Sequence, residues 1–166
     1  GYDFYRGTTN ASQATDPTFN GTAGKQSSGE YFSYDGGDWF TLGQANPAWV
    51  QTIHKNNALF TIAGWIYATA FGSSGLALLG DTADTQPTFH GFTLTVAGTG
   101  SPSNTGKLAL SVIDSTQAAL ALRTLSTGLV VLNQWNFVAV SVDEAAGTGV
   151  IQVNGSQDAF TSTYAS

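Results

Sequence analysis

The 166-residue chain has no cysteine and no methionine, and only 10% of its residues are charged. Without cysteine there is neither a disulfide nor a thiolate metal site. Lysine and arginine together number five, against eleven aspartates and glutamates. So few cations cannot neutralise a phosphate backbone or hold an anionic lipid surface, which excludes nucleic acid and membranes as partners. No apolar run approaches the roughly 18 residues of a membrane span, and no basic start leads into an apolar leader core. Its two histidines, His54 and His90, have no second histidine or cysteine at metal spacing. From the missing methionine, Gly1 is expected to be a processing or fragment boundary, and the chain is expected to be one domain over 1–166, whole or as a fragment of a longer one.

What is present is a dense strand pattern. Phe60-Thr61-Ile62-Ala63-Gly64-Trp65-Ile66-Tyr67-Ala68 and Trp135-Asn136-Phe137-Val138-Ala139-Val140-Ser141-Val142-Asp143 are rich in aromatic and β-branched residues with a period of two. Further strands are expected at 76–80, 91–97, 107–113, 118–124, 128–132 and 149–154. Tyr31–Tyr34 and Trp39–Leu42 flank the turn Asp35-Gly36-Gly37-Asp38. Residues 1–30 form a loop-rich N-terminal segment: Tyr2–Tyr5 reads as a first strand, and Thr8–Glu30 as coil. The one short helix expected runs from Asn46, as N-cap, to His54, with Pro47 at its first position. Short strands joined by glycine-rich turns imply an all-β sandwich or barrel. Trp65 and Trp135, inside strand patterns, are expected in the core.

The succession Gly36-Gly37-Asp38-Trp39-Phe40-Thr41-Leu42, Phe60–Ile66, Leu79-Gly80-Asp81, Gly91-Phe92-Thr93-Leu94, Gly106-Lys107-Leu108, Trp135–Val140 and Val153-Asn154-Gly155 resembles the laminin G-like group of the concanavalin A-like lectin/glucanase superfamily. The resemblance implies a jelly-roll β-sandwich of two curved antiparallel sheets, often calcium-binding, used for recognition of sugars or proteins. The opening segment from Asp16 to Gly24, before Tyr31–Asp38, is similar to laminin G-like domains of bacteriophage tail and other virion proteins. That implies an extracellular or virion-surface setting, in a tail fibre or capsid decoration. Family members continue beyond the Val-Asn-Gly hairpin into strands that close the sheet, whereas here only Ser156–Ser166 follow. A neighbouring subunit adding a strand, in a homo-oligomer, is the expected remedy.

Glucanases of the superfamily need carboxylates about 5 Å apart on one strand. The only glutamates, Glu30 and Glu144, lie in no Glu-x-Asp-x-Glu pattern, so the chain is expected not to be an enzyme. Ligand-binding candidates are Trp39, Trp49 and Tyr164, as stacking platforms, and Asn104 as a planar hydrogen-bonding group; structural packing is the competing role. Asp81 and Asp84 could supply oxygens to calcium, with a solvated polar loop as the alternative. The expected function is a non-enzymatic, lectin-like module binding a surface glycan. The alternative is a purely structural module contacting neighbouring virion protein subunits. Asn10, Asn20 and Asn154 match the N-glycosylation pattern.

Overall fold

A computed structural model describes residues 5–6, 18–20, 25, 31–34, 40–41, 53, 57–82, 91–113 and 120–162. The chain divides into two compact units, Gly1–Ala48 and Trp49–Ser166. In the first, β1 (Tyr5–Arg6) pairs antiparallel with β4 (Phe40–Thr41), and β2 (Thr18–Asn20) with β3 (Tyr31–Ser33). β2 lies in the stretch expected to be coil. Three residues between Pro17 and Gly21 are too few to show a period.

The second unit holds β5 (Leu59–Tyr67), β6 (Leu76–Thr82), β7 (Gly91–Val96), β8 (Lys107–Ile113), β9 (Leu120–Leu129), β10 (Trp135–Asp143), β11 (Thr148–Val153) and β12 (Ser156–Thr161). They form two antiparallel sheets, ordered β12-β11-β10-β5 and β6-β7-β8-β9. This is the all-β sandwich expected from the sequence. Alternation fills the layer between the sheets. Val138, Val140, Val142, Ile151 and Val153 come from one sheet, and Phe92, Leu94, Val96, Leu108, Leu110 and Val112 from the other, all buried. Phe60 meets Phe92 across the layer, with ring centroids 6.5 Å apart.

Over the described residues, the expected strand at 118–124 and the first two residues of the one at 128–132 prove to be one strand, β9, interrupted by a bulge, and Val130–Leu132 lie beyond its end. Lys107 pairs with Leu129 and Ala109 with Leu125, so Ser126-Thr127-Gly128 faces Leu108 alone. The buried Ser126 side chain takes over the missing ladder bond, its Oγ accepting from Leu108 N at 2.9 Å and donating to Gly128 O at 2.7 Å. The bulge directs Thr127 toward β12. Thr127 N and Thr127 Oγ1 both donate to the Asp158 carboxylate at 2.7 Å. Those bonds pull the Asp158 pKa below its ordinary value, first the backbone bond, then the hydroxyl. They also join the two sheets along the β9–β12 side.

β12, like β2, is a strand that the sequence pattern did not disclose. It closes a hairpin on Asn154-Gly155, where Asn154 takes a φ of 53°. Its Phe160 ring lies over Gly149, where any Cβ would collide with the ring. The helix expected over 46–54 lies outside the described residues except for Ile53, which is buried in a turn.

Candidate functional site

Register places side chains of β5 and β10 in rows on the outer face of their sheet. Tyr67 stands opposite Trp135, Trp65 opposite Phe137, Ala63 opposite Ala139 and Thr61 opposite Ser141. Trp65 and Phe137 meet edge to face with centroids 5.4 Å apart, and Tyr67 and Trp135 at 5.6 Å. These are favourable geometries for aromatic pairs. Trp65 is 49% exposed and Tyr67 48%. The expectation that Trp65 and Trp135 lie in the core is therefore corrected: they belong to an aromatic ladder on the outer face, with Trp135 partly buried. The physical reason is the opposite column. Val138, Val140 and Val142 pack against Ile151 and Val153, and these compact branched side chains fill a thin inter-sheet layer. The signal was in β10, whose other series runs Trp135, Phe137, Ala139, Ser141, Asp143 and so ends in polar residues.

Beneath the ladder lies a network of two asparagines. Asn136 is fully buried. Its Nδ2 donates to Val131 O at 2.9 Å and Gln134 O at 2.8 Å, while its Oδ1 accepts from Val131 N and Asn154 Nδ2, each at 3.0 Å. All four hydrogen-bonding positions of the amide are thereby used. Asn154 Oδ1 accepts from Phe137 N at 2.9 Å, and Asn154 N donates to Phe137 O. Both asparagines thus fix the backbone that carries Trp135 and Phe137. The Asn154 amide is consumed structurally, which removes the appeal of Asn154-Gly155-Ser156 as a glycan attachment point.

The ladder ends at a rim of linked turns. Asn133 N donates to Ala68 O, Val130 N to Gly106 O, and Thr99 N and Gly100 N to Gly72 O and Ser73 O. Gly75 and Gly98 let two of these turns interlock, since a Cβ on either would strike the other's backbone. Asn104 sits here on a 3-10 turn, Pro102–Asn104. Its Nδ2 donates to Ser101 Oγ at 3.2 Å and its Oδ1 accepts from Lys107 Nζ at 3.3 Å. Trp39, Trp49, Tyr164 and Asp84 lie outside the described residues. Asp81 lies in β6, paired with Phe92. Among the described residues no three acidic, histidine or cysteine side chains gather to hold a metal, so no role is derived for calcium.

Three carboxylates of the second unit are engaged by backbone N–H groups. Asp143 Oδ1 accepts from Ala146 N at 2.9 Å, Glu144 Oε2 from Asn57 N at 2.6 Å, and Asp158 from Thr127.

A laminin G-like family model described as the concanavalin A-like lectin/glucanases superfamily matches residues 35–166. No curated protein and no solved structure matches.

Proposed function

We propose that this chain, which belongs to the concanavalin A-like lectin/glucanase superfamily, is a non-enzymatic carbohydrate-recognition module whose glycan lies on the outer face of the β12-β11-β10-β5 sheet. The observation that carries this reading is the half-exposed ladder of Trp65 and Tyr67 crossed by Phe137 and Trp135. Large rings left half in water on a regular sheet face are the mark of a recognition surface. The C–H faces of a sugar ring stack on such rings, while its hydroxyls need donors and acceptors nearby. The same sheet face supplies them through Gln152, Gln157, Thr61 and Ser141. Laminin G-like domains are generally non-enzymatic binding modules, and the superfamily fold fits carbohydrate binding. The setting in which such a module meets its ligand is a cell or virion surface.

Isothermal titration calorimetry of the whole chain against a glycan array's strongest hits tests the reading. The expected result is binding that Trp65→Ala abolishes while the protein stays folded, its melting temperature lower by only the few degrees that loss of one half-exposed aromatic contact implies. Silence across the array, or equal binding by the variant, would overturn it and leave a protein-contacting structural module as the better account.

A further inference from the structure

We infer that the glycan bound by this sheet face is uncharged, and that one of its rings rests on a shelf floored by Ala63 and Ala139. The inference rests on the carbohydrate reading above and adds the class of sugar and the place of one ring.

The shelf follows from the register. Along each strand, side chains on one face recur about every 6.7 Å, and neighbouring strands lie about 4.8 Å apart. Next to the Trp65–Phe137 row comes the row Ala63, Ala139, Gln152, Gln157, and then the row Thr61, Ser141, Val150, Ala159. Two methyl groups therefore lie between tall aromatic rings on one side and two small hydroxyl residues on the other. Gln152 and Gln157 stand at the end of the floor, across β11 and β12. The Gln152 Nε2 donates to Asn154 O at 2.6 Å, which pins the amide and leaves its oxygen as an acceptor. Thr61 Oγ1 and Ser141 Oγ share one hydrogen bond at 3.0 Å, each keeping further capacity. The site is thus a stacking wall, a floor without bulk, and neutral hydrogen-bonding groups on two further sides.

Charge separates the sugar classes. The outer-face positions of β5, β10, β11 and β12 are all described, and among them there is no lysine, arginine or histidine. The one carboxylate, Asp143, lies two rows beyond the shelf and is held by Ala146 N. A uronic or sialic carboxylate, or a sulfate, would lose water here with no cation among these positions to receive it. The chain's net charge of −6 opposes an anionic polymer as well. A neutral saccharide meets neither cost.

The test uses matched pairs that share a backbone and differ by an introduced carboxylate. Neutral array hits, together with dextran and galactomannan, are compared with the carboxymethylated or C6-oxidised form of each, by affinity electrophoresis and calorimetry. Binding to the neutral member that falls about tenfold or more on carboxylation is the expected result. Ala63→Trp, which fills the shelf on an exposed position, is expected to remove that binding with the melting temperature retained. Thr61→Arg, an independent exposed variant, is expected to recover at least part of the acidic member's affinity. Equal or tighter binding of the acidic polymers overturns the inference while the carbohydrate reading stands. Undiminished binding by a folded Ala63→Trp variant overturns the shelf in the same way. Absence of any sugar binding, neutral or acidic, sinks the carbohydrate reading itself.

Discussion

Asn136 is the residue whose loss would be felt both in stability and in the shape of the aromatic face. It is buried with four hydrogen bonds, two of them to the carbonyls of Val131 and Gln134. Replacing it by alanine leaves several buried groups unsatisfied, each costing about 1–3 kcal/mol. Asn136→Ala is expected to lose about 3 kcal/mol in urea denaturation, and about 6–12 °C in melting temperature for a chain of this size. Ser126 does comparable work on a smaller scale. Ser126→Ala strips Leu108 N of its acceptor in a fully buried setting, with an expected cost of about 1–3 kcal/mol by the same measurement. Asp158 acts through pH. Its folded pKa lies below the ordinary 3.8, so its stabilising contribution is fully present above that value and is lost as pH falls through the folded pKa. The melting-temperature gap between the parent and Asp158→Asn should therefore be constant near neutrality and close progressively in acid below about pH 4. A gap that stays open there would show that Thr127 does not hold the ionised carboxylate.

Among elements, the strands with unbroken alternation were legible down to their ends. Residues 107–113 and 135–143 are the expected strands, because seven and nine residues rich in β-branched and apolar side chains leave no competing period. β9 was not, because Ser126-Thr127-Gly128 has the composition of a turn while serving as a bulge, and only the partner strand decides between them. The aromatic face was missed for a related reason. Both series of β5, Phe60-Ile62-Gly64-Ile66 and Leu59-Thr61-Ala63-Trp65-Tyr67, are largely apolar, so a period of two shows that the faces differ without showing which is inner. The register with β10 resolves it, and register is a property of two strands. Gly64 offers a direct check on β5. A Cβ there would meet nothing within 4 Å, and its φ is not positive. Gly64→Ala is therefore expected to stabilise the protein by about 0.5–1 kcal/mol in urea denaturation, chiefly by restricting the unfolded chain. A loss of stability would mean that the inner face at Gly64 is already filled.

At the scale of the whole molecule, the low charge content has a consequence for both folding and binding. A chain with 10% charged residues and a net charge of −6 owes little to long-range electrostatics, and isolated surface pairs contribute at most about 1 kcal/mol. A sugar held by rings, amides and hydroxyls is expected to bind with an affinity that changes less than about twofold between 50 and 500 mM NaCl, since screening acts on charges that this contact lacks. Calorimetry at the two salt concentrations checks this, and a steep decline would point to an ionic contact elsewhere on the chain. Two of the four tryptophans, Trp65 and Trp135, stand in the ladder at the water boundary. Indole emission shifts in colour and intensity when water leaves the ring. Whatever settles on that face therefore alters the protein's intrinsic fluorescence, and the molecule carries an unlabelled optical gauge of its own occupancy.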